Sequence, residues 1–143
     1  MEWFREEYSV SDKTEKVQRK VVNDYIINRS YWGKGRTCEQ MNRAMNNSIC
    51  FSLFKREEQI GFARVITDYA LIFYLADVFV LEEHRGKGLG KWLIECVIDH
   101  PSIKGLLGLL NTRDAHTLYE RFGFAVLSNP RSAMIRTAET VTR

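Results

Sequence analysis

Apolar positions recur at helical spacing early in the chain, at two-residue spacing from Ile49 to Leu81, and at helical spacing again after Gly88. A first segment, FREEYSV, alternates weakly and predicts a strand. Asp12 followed by Glu15 resembles a capping box, and Val17, Val21 and Tyr25 then share a helical face with Val22 and Ile26 beside them, ending near Asn28. After the loop RSYWGKGR, Thr37 and Gln40 form a second capping signature for a short helix burying Cys38, Met41 and Met45, stopped by Asn46 and Asn47. ICFSLFK and IGFARVIT read as a hairpin, and ALIFYLADVFVL as a third strand whose barely alternating apolar run predicts cover on both faces. Leu89, Trp92, Leu93, Cys96 and Val97 fit one helical stripe ended by His100-Pro101. LLGLLN then reads as a strand, DAHTLYERF as a helix stopped by Gly123, and FAVL as a final strand.

Composition narrows the class. The 143 residues, 45% hydrophobic with two prolines, fit one domain spanning 1–143. A net charge of +3, spread along the chain, is far from the dense cationic arms of a dedicated nucleic-acid binder, so no nucleic-acid partner is expected. Three cysteines without a C-x-x-C pair argue against a disulfide framework and for reduced thiols in the cytoplasm. The N-terminus lacks an apolar signal core and no run approaches the ~20 apolar residues of a membrane span, so no membrane association is expected.

The stretch FVLEEHRGKGLGKWLIECV packs three glycines between a strand and a helix. Unpaired N–H groups at such a junction converge on one point, where the helix dipole also favours an anion. Glycines let the main chain approach phosphate oxygens, and Arg85 and Lys87 add charge. The spacing is neither a P-loop, lacking the four-residue spacer and the Ser or Thr after lysine, nor G-x-G-x-x-G, since Lys91 takes the last position.

VFVLEEHRGKGLG resembles the acetyl-CoA signature of the GNAT N-acyltransferase superfamily, with Arg85, Gly88 and Gly90 in R-x-x-G-x-G. AHTLYERFGF is similar to its second motif, A-x-x-L-Y-x-x-x-G-F, at Ala115, Leu118, Tyr119, Gly123 and Phe124. The resemblance implies an α+β, three-layer fold: a mixed, mostly antiparallel sheet with helices on both faces. It implies acetyl-CoA as co-substrate and no metal, with the pyrophosphate on amides of Arg85, Gly86, Lys87, Gly88, Leu89, Gly90 and Lys91, and the pantetheine arm along Val78, Phe79 and Val80. A main-chain amide near Val80 then polarises the thioester, and a primary amine attacks directly without an acyl-enzyme. Homodimers are common in the family, but no interface is readable.

Several residues carry two readings. Tyr119 is a packing tyrosine by periodicity and, by resemblance, the general acid for the departing CoA thiolate. His116 is an exposed helical histidine or a proton relay. Asp77, a lone carboxylate in an apolar run, is either the general base or a partner of Arg64. Some family members use a glutamate base at the place held here by Tyr74. Many carry asparagine where this chain has Thr112, with Asn111 one step earlier, leaving open which touches the cofactor. The early helices wall the acceptor cleft in this fold, so Tyr31, Trp32 and Tyr69 are candidates to hold an amine by cation–π contact, with Asp68 or Asp77 opposite. The expected activity is acetyl-CoA-dependent N-acetyl transfer to a small amine; the competing reading is a non-catalytic acyl-CoA sensor.

Overall fold

A computed structural model describes residues 1–139. Six strands follow one another across one sheet in chain order: β1 (Glu2–Arg5), β2 (Tyr8–Ser11), β3 (Ile49–Lys55), β4 (Glu58–Thr67), β5 (Ile72–Val80) and β6 (Leu107–Leu110). All neighbours are antiparallel except β5 and β6, which run parallel. That parallel pair needs a crossover, supplied by α3 (Leu89–Asp99). The class is α+β, as expected.

Each face of the sheet carries an apolar cluster, so the layers number three. On one face α1 (Arg19–Asp24), the π turn Tyr25–Arg29 and α2 (Cys38–Asn46) bring Val22, Ile26, Met41 and Met45 against Phe62 and Phe79. On the other, Leu89, Trp92, Leu93, Cys96 and Val97 of α3 cover Phe51, Leu53, Val65 and Leu75, the stripe its periodicity predicts. α4 (His116–Glu120) closes the end of that face through Tyr119.

Four expectations shift. FREEYSV is a hairpin, not one strand, because Glu6 takes φ 53° and reverses the chain between β1 and β2. The first helix starts at Arg19 without a capping box, because Gln18 and Gln59 exchange backbone-to-side-chain hydrogen bonds that pin the chain there. Val22, Tyr25 and Ile26 are buried as expected and Val17 is buried just ahead of the helix, but Val21 is only half-buried. Thr37 and Gln40 do form a capping box, which leaves Cys38 exposed in the first turn of α2. FAVL forms no strand: Phe124 is held by edge contacts to Phe73 and Tyr119, while Val126 and Leu127 are exposed. A four-residue apolar run has no period that distinguishes a strand from a packed coil.

Candidate active site

The turn between β5 and α3 is an amide cradle. A 3-10 turn at Glu82–His84 consumes the N–H groups of His84 and Arg85, which donate to Leu81 and Glu82. The next main-chain bond in this region is Trp92 N–H to Gly88 O at 3.1 Å, so the amides from Gly86 to Lys91 have no partner among the described residues. Gly86 and Gly88 take φ 82° and 76°, and a Cβ built on either meets nothing within 4 Å, so the space before the amides is open. Lys87 and Lys91 are exposed beside it, whereas Leu89 points into the core and offers only its amide. Arg85 departs from expectation. Its Nε donates to Val80 O at 2.8 Å and its Nη2 to the Tyr25 hydroxyl at 2.7 Å, so the side chain braces the turn instead of reaching into the cradle.

Beside the cradle lies an open strand edge. β6 pairs with Ile72 to Leu75, leaving β5 from Ala76 to Val80 unpaired on that side among the described residues. Leu81 N–H donates to Ile60 O, and alternation along the strand turns the Val80 N–H the other way, onto the open edge. Arg85 occupies the Val80 carbonyl there and leaves the N–H available. Phosphate-sized anions fit the cradle and an extended arm fits the edge, so the residues present suit an acyl-CoA.

At Asp77 β5 bulges: the residue has φ 55°, and the register with β4 jumps between Phe62 and Arg64. The carboxylate is 2% exposed and takes three donors: Trp32 Nε1 at 3.0 Å and Arg36 Nη1 at 2.9 Å on Oδ1, and Arg64 Nε at 2.9 Å on Oδ2. Of the two readings, the pairing with Arg64 is present in the structure, and all three donors hold the carboxylate in one place. The loop supplying Trp32 and Arg36 is anchored locally. Ser30 N–H closes the π turn on Tyr25 O, Ser30 Oγ receives Gly33 N–H, and a Cβ on Gly33 would stand 2.2 Å from Ile26 O. Only glycine lets the loop lie this close.

A cleft of about 520 Å³ opens over this group. Tyr31, Trp32, Asp77, Val78, Asn111, Thr112 and Tyr119 line it; Phe79 and Val80 do not, Phe79 being buried against Tyr25 with ring centroids 4.1 Å apart. Asp68 and Tyr69 lie elsewhere, in the β4–β5 turn. Asp68 Oδ1 accepts from the amides of Ala70, Leu71 and Ile72, which lower its pKa, and Tyr69 is 63% exposed at φ 64°. Contrary to expectation, both are turn residues and neither lines the cleft. Tyr31 does make a cation–π contact, but with the protein's own Arg113, whose Cζ sits 3.7 Å from the ring centroid. Arg36, from the candidate loop SYWGKGR, also lines the cleft, as do Arg113 and Asp114, which no period or motif marks in the sequence.

Tyr119 is 8% exposed, edge-on to Phe124, and its hydroxyl makes no hydrogen bond among the described residues. The ring does pack in the core, but no backbone group among the described residues satisfies its hydroxyl. Burial, with Tyr31 and Asp114 nearby, pushes its pKa up to about 12. Thr112 Oγ1 accepts Ala115 N–H ahead of α4, and Asn111 Nδ2 donates to the Tyr74 hydroxyl at 2.7 Å, so both organise the cleft wall. His116 is exposed. Cys50 and Cys96 are buried, and burial raises their thiols to about 11 and about 12, which suits core packing and not nucleophilic attack.

A family model for the acetyltransferase (GNAT) domain matches residues 46–126, which hold the cradle, the open edge and Tyr119. The chain belongs to the GNAT acetyltransferase family. A presumptive acetyltransferase of Gibberella zeae is 28% identical over 144 residues, spanning 85% of this chain and 81% of that protein. The crystal structure of a presumptive GNAT-family acetyltransferase from Xanthomonas campestris pv. campestris superposes with a TM-score of 0.88 at 39% identity, covering 92% of this chain and 93% of that one. Arabidopsis thaliana glucosamine-6-phosphate N-acetyltransferase shares the fold, with a TM-score of 0.62 at 16% identity over 93% of this chain and 97% of its own. Among the described residues no helix of this GNAT protein is long and apolar enough to cross a membrane.

Proposed function

We propose that this GNAT protein is a cytoplasmic, acetyl-CoA-dependent N-acetyltransferase that moves the acetyl group directly to a primary amine. The observation that carries the reading is the meeting, along β5, of an amide cradle, an open strand edge and a buried phenol that have no hydrogen-bond partner among the described residues.

Acetyl-CoA supplies an activated acetyl thioester. The amides of Gly86 to Lys91, with Lys87 and Lys91, hold its phosphates, and the β5 edge holds the arm. Val80 N–H polarises the thioester carbonyl as a single preorganised donor. The amine nitrogen forms the new C–N bond as the C–S bond breaks, Tyr119 gives its proton to the departing sulfur, and the proton shed by nitrogen restores the phenol through water. No acyl-enzyme is needed, in keeping with thiols raised and buried at Cys50 and Cys96. Asp77 serves as the anchor of the acceptor loop.

Tyr119→Phe tests this reading, because it keeps the ring and its contact with Phe124. Acetyl-CoA affinity and thermal stability stay near wild type, while kcat falls at least about tenfold, a conservative floor for losing a general acid. Normal turnover in the folded variant refutes the role of Tyr119. Tight acetyl-CoA binding by the wild type without turnover of any amine favours the sensor.

A further inference from the structure

The acceptor cleft carries more positive than negative charge, and nothing in the cofactor site uses it. Three arginines and two aspartates line it: Arg36, Arg64, Arg113, Asp77 and Asp114. Two of the arginines share the single buried carboxylate of Asp77. Arg64 is 11% exposed and spends Nε on Asp77 and Nη1 on Ser48 Oγ. Arg36 is 33% exposed; its Nη1 reaches Asp77 and Met41 Sδ, and its Nε and Nη2 have no partner among the described residues. Arg113 forms no ion pair among those residues, and its Cζ sits over the Tyr31 ring. The chain as a whole is at +3, so no distributed negative charge offsets the surplus.

The cofactor's phosphates do not account for these cations. Their cradle is formed by Gly86 to Lys91, and none of those residues lines the cleft. What remains is the acceptor. A polyamine or an isolated ammonium entering here meets like charge in a partly desolvated site. An acceptor that brings its own anion pairs with the free edge of the Arg36 fork and the Arg113 guanidinium, both suited to carboxylate or phosphate oxygens. The same surplus disfavours the ammonium form of the reacting nitrogen, lowering its pKa toward the free amine that must attack. This favours the free amine without calling on Asp77, whose oxygens already take three donors.

We infer that the acceptor is a small amine carrying a carboxylate or phosphate, recognised by Arg36 with Arg113 at the rim. The inference rests on the acetyltransferase reading for the word acceptor, but its test does not. Calorimetry on the CoA-saturated protein compares β-alanine with β-alaninamide and O-phosphoethanolamine with ethanolamine, alongside the proteinogenic amino acids and spermidine. The member that carries the anion binds at least about tenfold tighter than its counterpart without one, and whether the acid or the phosphate arm prevails identifies the group. Arg36→Gln cuts that preference below about threefold while CoA affinity is kept, which also shows the fold intact. Arg113→Gln, at an exposed position, reads the rim contribution without touching the Asp77 group. Equal or tighter binding of the compounds that lack the anion, or of spermidine, overturns the inference. So does a preference that survives Arg36→Gln, or no anionic amine binding below about 10 mM. Thiol release with the compounds that bind separates the two readings. Binding without turnover sinks the acetyltransferase and spares this inference, whereas turnover of spermidine alone does the reverse.

Discussion

Replacing Asp77 by Asn distinguishes a structural anchor from a catalytic base. Asn Oδ1 can still accept from Trp32 Nε1 and Arg36 Nη1, which both bind the same oxygen in the native site. What is lost is the Oδ2 partner of Arg64 Nε, replaced by an amide N–H facing another N–H. Removing one member of a buried pair costs about 3–5 kcal/mol; the Arg36 pair is one-third exposed and adds less. Asn tolerates the left-handed φ of 55°, so backbone strain adds nothing, and the estimate is about 3 kcal/mol. For a domain of this size that lowers the melting temperature by about 10 °C. Ala deletes both oxygens and adds about 1–2 kcal/mol of strain, bringing the loss near the whole stability of a marginal domain, so Asn is the usable variant. Calorimetric melting and urea titration measure the loss, and a kcat profile against pH on the folded variant completes the assay. A variant melting within about 2 °C of wild type, yet with kcat down more than about a hundredfold and the acid limb of its profile gone, refutes the anchor and restores the base.

Three further outcomes are expected. Gly88→Val places a branched side chain in the open space before the amides and lowers acetyl-CoA affinity well beyond Gly88→Ala, which carries the φ 76° strain with little bulk; equal affinities by calorimetry would mean that the cradle is elsewhere. A Cys38→Ser, Cys50→Ala, Cys96→Ala variant that stays folded keeps its turnover, and loss of turnover in a folded variant would require a covalent step. Because burial raises the Tyr119 pKa to about 12, its phenol keeps the transferable proton that an unperturbed tyrosine half loses at about pH 10. The kcat profile therefore shows no falling limb from Tyr119 up to about pH 10, and a limb centred below that, with the circular dichroism unchanged, contradicts the assignment. The same raised value gives a stabilising contribution that is complete below the unfolded pKa of about 10 and declines as pH rises toward 12.

Where the side-chain period reports on a single packed face, the sequence reads well. The α3 stripe and the capping box of α2 come through residue by residue, because burial on one side and a local hydrogen-bonded cap leave direct marks. The glycine-rich turn is legible for the same reason: positive φ at Gly86 and Gly88 demands glycine. Arg85 is misread because a motif gives its position but not its rotamer, and its guanidinium goes to Val80 and Tyr25. Asp68 and Tyr69 are misplaced because a turn's polar residues look alike whether they face a cleft or hold the turn itself. The three cleft arginines come from the loop before α2, from β4 and from the segment before α4, and only the fold brings them together.

The bulge at Asp77 was the least legible feature and the one on which the site depends. Along a regular strand Phe73, Leu75 and Phe79 would share a face. Here Phe73 and Leu75 pack with α3, while Phe79 packs with the π turn and α2 on the opposite side. The extra residue has exchanged the faces of β5 between Leu75 and Phe79, as a bulge does. In a strand apolar on both faces that exchange leaves the hydrophobic pattern unchanged, so periodicity does not register it. Its consequences are local and coupled. The carboxylate of Asp77 turns to meet Trp32 and Arg36, which fixes the acceptor loop. Pairing with β6 ends at Leu75, two residues earlier, which frees the edge that suits the cofactor. One irregular residue thus aligns both halves of the site, and the polar side chain in an otherwise apolar run marks the position that tolerates the left-handed backbone.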